Sequence, residues 1–127
     1  MPRLDAIGIV SADFAKSAAF YELLGFEFLE FDEEGMHMEA ARRDGLRLML
    51  DGVEMMKSMH PDWAPPTGQR MGLAFLCDSP AEVDEVHARI TAAGHASKSE
   101  PWDAFWGQRY AQVIDPDGNI VDLFAAL

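Results

Sequence analysis

The chain has 127 residues, a formal net charge of −12 and one cysteine. A hydrophobic share of 49% and a charged share of 25% are typical of a globular domain and exclude a disordered or fibrous chain. The acidic surface repels phosphate groups, so we expect neither nucleic acid nor a membrane as a partner. Two interpretations of the negative charge remain open: it attracts a cationic ligand, or it only keeps the protein soluble.

Two further exclusions concern the location. No apolar run approaches the roughly 20 residues of a membrane span, and residues 1–13 lack the apolar core of a secretion signal. Cys77 has no second cysteine with which to form an internal disulfide. We therefore expect a cytoplasmic protein.

The first half of the chain predicts a strand, a helix and three more strands. Residues 4–10 are apolar and rich in β-branched side chains, which indicates a buried strand. Asp13 is the expected N-cap of a helix that ends at Gly25. The alternating residues 26–31 predict a strand.

The next two strands are predicted at residues 36–43 and 46–51, joined by the turn signal Asp44-Gly45. Alternation along the second of these strands turns Arg47, Met49 and Asp51 away from the helix. Residues 52–69 contain three prolines and predict a crossover loop.

The second half repeats this order. Residues 71–77 predict a strand, and Ser79 to Glu82 form a capping box with proline at the first helical position. We expect the helix to end at Gly94. Three strands follow, with a tight turn before the last; they are predicted at 95–102, an edge strand, 106–114 and 120–125, with the turn at 115–119.

Asp13 and Ser79, the two helix caps, lie 66 positions apart, and each half reads as a βαβββ unit. We predict one α+β domain over residues 1–127, with module one at about 1–51, the crossover loop at 52–69 and module two at about 70–127. The two modules are expected to form a curved mixed sheet with a concave ligand cavity and the helices on its convex face.

Two stretches resemble a known family. Residues 10–28, VSADFAKSAAFYELLGFEF, and residues 106–124, WGQRYAQVIDPDGNIVDLF, resemble the vicinal oxygen chelate superfamily of glyoxalases, extradiol dioxygenases and bleomycin-resistance proteins. The second stretch is most similar to the bleomycin-resistance type. This resemblance implies a homodimer that binds a small molecule, although the scaffold supports many activities.

The metal enzymes of this superfamily carry four ligands, from the first and fourth strands of each module. The matching positions hold Ala6, Met49, Gly72 and Asp122. Alanine and glycine offer no side-chain ligand, and methionine is too soft for a hard divalent ion. We therefore expect neither a metal nor any other cofactor.

The remaining reactive side chains indicate no site of their own. His37, His60, His87 and His95 have no shared spacing typical of a metal site, and we expect solvated or hydrogen-bonded surface positions for them. Cys77 lies beside an aspartate, which disfavours a thiolate nucleophile.

Adaptable and aromatic side chains are the candidates for lining a ligand pocket. The candidates are Met36, His37, Met49, Trp63, Trp102, Phe105, Trp106 and Tyr110. For Phe105 and Trp106 the alternative is that they fill the hairpin core or a dimer seam. We expect Arg109 to pair with an acidic neighbour in a structural role.

Three hypotheses about function remain. The first is a metal-independent binding protein of the bleomycin-resistance type that sequesters a small aromatic or cationic compound. The second is a metal-dependent enzyme of the glyoxalase or dioxygenase kind, with its ligands in a shifted strand register. The third is a metal-free enzyme in which Asp122 or Tyr110 acts as a general acid or base.

Overall fold

The computed structural model describes residues 1–41 and 45–127. Within them the chain forms two compact units, Met1–Pro66 and Thr67–Leu127. The described residues include three helices and seven strands, the strands arranged in two mixed sheets, one in each unit. The predicted α+β class is confirmed. No helix in the described part of the chain is long and apolar enough to cross a membrane.

The first unit contains β1 (Ala6–Ser11), α1 (Phe14–Glu22), β2 (His37–Glu39), β3 (Arg47–Gly52) and α2 (Val53–Met59). Its sheet has the order β1-β3-β2, with β1 parallel and β2 antiparallel to the central strand β3. The predicted strand at 36–43 is thus shorter, and its end, together with Asp44 of the predicted turn, lies outside the described residues.

Helix α1 begins as the sequence indicates, because the carboxylate of Asp13 accepts a hydrogen bond from the backbone N–H of Lys16 at 3.2 Å. The helix buries one face against the sheet. The core that results is made by Phe14, Ala18, Met38 and Leu50, with Ile9 and Phe28 packed against it.

Residues 26–31 were predicted as a strand, and this is wrong in the structure. The expected alternation of burial is present, since Phe26 and Phe28 are half-buried while Glu27 and Leu29 are exposed. One backbone hydrogen bond, from the N–H of Ala41 to the carbonyl of Glu27, joins this segment to the chain beyond β2. Alternating polarity indicates which side chains are buried, but it occurs also in an extended segment that forms no hydrogen-bonded strand pair.

The predicted crossover loop at 52–69 is also partly wrong, because Val53–Met59 forms α2. This segment contains no glycine or proline, and Glu54 lies 3.6 Å from Lys57 one turn later. The prolines begin at Pro61, just after the C-cap residue His60. Helical propensity within this short segment therefore outweighed the composition of the whole stretch.

The second unit contains β4 (Leu73–Leu76), α3 (Pro80–Ala92), β5 (Ala96–Ala104), β6 (Gln108–Ile114) and β7 (Ile120–Ala126). Its sheet has the order β4-β7-β6-β5, with β4 parallel to β7 and the other pairs antiparallel. The predicted elements of this half are all present, and β5 is an edge strand as expected.

Helix α3 is capped by Ser79, whose hydroxyl accepts a hydrogen bond from the N–H of Glu82 at 3.1 Å. Val83 and Ile90 are fully buried on its inner face. His87 was expected at the surface, but it is only 5% exposed, and its Nε2 lies 2.8 Å from the hydroxyl of Ser97. The helical spacing of four from Val83 places it on the buried face.

The predicted repeat is complete in the second unit only. That unit follows the βαβββ order, whereas in the first unit residues 26–31, which correspond to β5, do not form a strand. The turn at 115–119 is present, and the buried carboxylate of Asp115 accepts hydrogen bonds from the N–H groups of Asp117 and Asn119.

Candidate functional site

The face of the second sheet that α3 leaves uncovered carries a row of apolar side chains. Cross-strand pairing places Trp102 of β5 opposite Tyr110 of β6, and Tyr110 opposite Phe124 of β7. Leu76 of β4 is the register partner of Phe124, so the row crosses all four strands. Paired residues share a face of a sheet, whereas the intervening Leu123 is fully buried on the opposite face.

Trp106 joins this row from the turn between β5 and β6. Its ring centroid lies 5.5 Å from that of Trp102 and 5.3 Å from that of Tyr110, both in edge-to-face geometry. Phe105 extends the group outward at 5.0 Å from Trp106, and Phe124 lies 6.5 Å from Tyr110. We call these five side chains, Trp102, Phe105, Trp106, Tyr110 and Phe124, the aromatic platform.

The outer part of the aromatic platform is unusually open to solvent. Trp102 is 41% exposed, Trp106 48% and Phe105 92%. Scattered single apolar side chains are normal on a protein surface, but contiguous exposed aromatic groups mark sites where a ligand or partner binds. The ring contacts thus bring together four of the candidates from the sequence, Trp102, Phe105, Trp106 and Tyr110.

A polar group lies directly beside the aromatic platform. The carboxylate of Asp122 accepts hydrogen bonds from the phenol of Tyr110 and from the side-chain amide of Gln112, the latter at 2.8 Å. Burial, and secondly the bond to Asp122, raises the pKa of Tyr110 to about 12. Tyr110 therefore stays a neutral hydrogen-bond donor at physiological pH.

One further contact fixes the orientation of the platform. The indole N–H of Trp106 donates a hydrogen bond to the side-chain oxygen of Gln108 at 2.7 Å. This bond, with the edge-to-face contacts on both sides, limits the rotation of the Trp106 ring. The Trp106 ring is therefore held in one orientation.

In the first unit the face of the sheet that faces away from α1 is charged. His37 of β2 places Nδ1 at 2.6 Å from Asp51 and Nε2 at 3.1 Å from Glu39. Arg47 binds Glu39 at 2.6 Å and Asp5 at 2.8 Å. The hydrogen bond to Asp51 is the main cause that raises the pKa of His37, and the bond to Glu39 adds to it.

The other candidates of the first unit have separate surroundings. Met49 lies on the same charged face, opposite Glu39 and Gly8, which confirms the predicted orientation of β3. Met36 is 39% exposed just before β2. Trp63 follows α2 in a turn where its backbone N–H binds the carbonyl of His60 at 2.8 Å.

A cleft of about 640 Å³ opens beside β2 in this unit, and among the sequence candidates His37 lines it. One wall is formed by residues 29–32 and the other by residues 37–41. Asp32 is among the lining residues, and its carboxylate accepts hydrogen bonds from the N–H groups of Met36 and His37. The cleft therefore lies where the predicted strand at 26–31 separates from β2.

The residues at the metal positions of the superfamily do not fit a divalent ion. Ala6, Gly72 and Met49 provide no hard donor, and both carboxylate oxygens of Asp122 already accept hydrogen bonds. Within residues 1–41 and 45–127, no group of three or more His, Cys, Asp or Glu side chains is arranged to hold a metal ion.

Some residues of these two faces escaped the sequence analysis. Phe124 and Gln112 were missed, although alternation along β7 places Phe124 on the same face as Asp122. Glu39 was missed because no local pattern connects it with Arg47. Arg109 was correctly expected to pair with acidic neighbours, and it binds Asp84 at 2.9 Å.

Comparison with known proteins gives a consistent family. The model of the Glyoxalase/Bleomycin resistance protein/Dioxygenase superfamily matches residues 3–123. A comparison with curated proteins found no significant match.

Solved structures with the same fold include three from different bacteria. A glyoxalase/bleomycin resistance protein/dioxygenase family enzyme from Burkholderia phytofirmans PsJN has a TM-score of 0.87 at 20% identity, covering 99% of this chain and 100% of that one. A glyoxalase-related enzyme from Fulvimarina pelagi has a TM-score of 0.84 at 22% identity, covering 98% and 88%. Lactoylglutathione lyase from Agrobacterium tumefaciens has a TM-score of 0.70 at 20% identity, covering 97% and 92%.

Such identities show a shared fold and leave the activity open. The family model, by contrast, spans nearly the whole chain, from the start of the first strand region into β7. The chain therefore belongs to the Glyoxalase/Bleomycin resistance protein/Dioxygenase superfamily.

Proposed function

We propose that this protein is a metal-independent binding protein of the bleomycin-resistance type, which sequesters a small aromatic or cationic compound. The observation that carries the proposal is the aromatic platform, in which Trp102, Trp106 and Phe105 are open to solvent yet held in mutual contact.

The geometry of the platform supports binding of a flat ligand. Each edge-to-face contact fixes one ring against the next, and the outer rings keep exposed surface that a ligand can cover. A ligand that covers an aromatic face removes apolar area from water, and each Å² removed contributes roughly 25 cal/mol of favourable free energy. Aromatic groups also attract cations through the negative face of the ring.

Catalysis by the neighbouring polar groups has weaker support. A phenol whose pKa is raised to about 12, as in Tyr110, is a poor general base near neutral pH. Three of the four positions that match metal ligands of the superfamily carry Ala6, Gly72 and Met49, and only the fourth, Asp122, has a hard donor. The donor chemistry of these side chains favours binding over a metal-assisted reaction.

The test uses ¹⁵N-labelled protein, whose three tryptophans give three indole N–H signals. We expect the signals of Trp102 and Trp106 to shift saturably on titration with two planar probes, 4-methylquinoline and N-methylquinolinium. Trp102→Ala should weaken the binding of the better probe about tenfold, because one aromatic wall is lost. If neither probe shifts these two signals, the binding proposal is wrong.

Trp63→Ala is the matched variant. Trp63, in the predicted crossover loop at 52–69, is a candidate from the sequence for lining the pocket, as are Met36, His37 and Met49. A loss of affinity in Trp63→Ala equal to that in Trp102→Ala would extend the site to this loop. An unchanged affinity would remove Trp63 from it.

The proposal includes a homodimer in the cytoplasm. A seam formed by Phe105 and Trp106 is the alternative explanation of the exposed aromatic groups. Light scattering of the wild type and of Phe105→Ser distinguishes the two, because a seam predicts that the substitution dissociates the dimer. Metal analysis of the purified protein tests the enzyme alternative, since a stoichiometric divalent metal would contradict the metal-independent function.

A further inference from the structure

Asp122 occupies a particular place within the second sheet. It lies in the middle of β7, on the face that carries the aromatic platform, two residues before Phe124. Its cross-strand neighbours are Gln112 of β6 and the small Ala74 of β4. Because Ala74 is exposed and ends at Cβ, a ligand can approach the carboxylate over β4.

The hydrogen bonds of Asp122 hold its carboxylate in position but bring no positive charge close to it. Both side chains that bond to it in the described part of the chain, Tyr110 and Gln112, are uncharged. The arginine nearest in sequence to these partners, Arg109, is engaged by Asp84 and Asp103, and its place on β6 turns it to the opposite face. Among residues 1–41 and 45–127, the carboxylate of Asp122 therefore forms no ion pair with a cationic side chain.

A carboxylate beside exposed aromatic rings is complementary to one class of ligand. Organic cations such as quaternary ammonium or pyridinium compounds combine an apolar body with a charge that cannot be removed. Rings within about 6 Å of such a charge attract it, and a fixed carboxylate adds a Coulomb term that a neutral ligand of equal size does not receive.

We propose that the ligand of the aromatic platform is an organic cation and that the carboxylate of Asp122 is its counter-charge. The inference rests on the proposed binding function and deepens it from an aromatic or cationic compound to a cationic one. Trp102, Trp106 and Phe124 contact the apolar body, while the charge lies towards Asp122. The net charge of −12 favours approach of the cation from solution.

The test compares N-methylquinolinium with 4-methylquinoline, which is nearly the same size and is uncharged at about pH 8. The wild type should bind the cation about tenfold or more tightly than the neutral probe at low ionic strength, because only the cation gains the Coulomb term. Asp122→Asn should remove this preference and leave the affinity for 4-methylquinoline within about twofold.

Asp103→Asn is the matched control. It removes one negative charge from the same unit, but Asp103 pairs with Arg109 on the opposite face. Its effect on cation affinity should stay below about twofold, which separates a local counter-charge from the general field of an acidic protein.

A second pair of variants leaves the bonds of Asp122 intact. Ala74→Lys places an ammonium opposite Asp122 and should abolish the cation preference, whereas Ala74→Gln, of similar length, should keep it. If the wild type binds both probes equally, or if Asp122→Asn and Asp103→Asn behave alike, the counter-charge assignment is wrong while the binding function stands. If neither probe binds, the proposed function itself fails.

Discussion

The phenol of Tyr110 on β6 donates a hydrogen bond to the carboxylate of Asp122 on the neighbouring strand β7. The bond is diagonal, because the residue directly opposite Tyr110 is Phe124 and the residue opposite Asp122 is Gln112. It therefore connects the aromatic row of the sheet face with the polar row beside it. Side chains at such diagonal positions are within reach of long aromatic residues.

The first prediction concerns the titration of Tyr110. Burial and the bond to Asp122 raise its pKa to about 12, so the phenolate should form well above the ordinary value of about 10. The difference in phenolate absorbance between the wild type and Tyr110→Phe isolates this group from Tyr21. Asp122→Asn should lower the pKa, because it removes the negative charge.

The raised pKa of Tyr110 also sets the sign of a stability change. The folded state favours the neutral phenol, so this stabilisation is complete below about pH 10 and is lost as the pH rises through about 12. Chemical unfolding of wild type and Tyr110→Phe over this range measures it. A midpoint of phenolate formation at about 10 in the wild type would contradict both expectations.

The second prediction concerns His37. Hydrogen bonds to Asp51 and Glu39 raise its pKa, so its contribution to stability is complete below the ordinary histidine value and is lost as the pH rises through the folded value. The imidazole is partly exposed, and we expect a contribution of about 0.2–1 kcal/mol, as for other surface ion pairs.

Proton NMR of the imidazole ring measures the pKa directly. Asp51→Asn, which removes the largest cause, should lower the pKa of His37 more than Glu39→Gln does. The wild type should also lose its stability advantage over His37→Gln on going from about pH 5 to pH 9. An imidazole that titrates at or below the ordinary value would show that the two carboxylates do not hold it.

The third prediction concerns the close backbone approach at Gly52. A Cβ atom at this position would lie 1.7 Å from the carbonyl oxygen of Gly35. The backbone N–H of Gly52 also donates a hydrogen bond to the carbonyl oxygen of Met36 at 3.0 Å, which holds the two segments together. Gly52→Ala should therefore lower the free energy of unfolding by about 2–4 kcal/mol, since a backbone segment must move.

Gly8→Ala in the same sheet is the control for Gly52→Ala. Its Cβ would lie 3.3 Å from the carboxylate of Asp51, which needs to shift only slightly, and at an ordinary contact distance of 3.6 Å from the end of Met49. The change in unfolding free energy should stay within about 1 kcal/mol. Denaturant unfolding of the two variants gives the comparison, and equal effects would refute the backbone clash as the cause.

The fourth prediction concerns Cys77. Burial, and secondly the charges of Glu82 and Asp78, raises the pKa of the thiol to about 11. Because the thiolate is the reactive form, Ellman's reagent should modify the native protein at least about a hundredfold more slowly than the unfolded protein near neutral pH. Rapid modification of the native protein would place Cys77 in an accessible position instead.

Local sequence signals determined much of the fold. The carboxylate of Asp13 and the hydroxyl of Ser79 cap α1 and α3 as expected, because a cap depends on residues three positions apart. The alternation of β3 correctly placed Met49 on the face away from the helix. Short-range periodicity and capping can be read without knowledge of the partner strands.

What the tertiary structure decided is pairing across strands. Whether residues 26–31 pair with β2 depends on their alignment with that strand. The alternating sequence predicted only which of their side chains are buried. The contact of Glu39 with Arg47 on β3, and that of Asp122 with Tyr110 on β6, likewise arise from strand pairing. Alternation assigns a residue to a face, but only the completed sheet determines which neighbours it meets there.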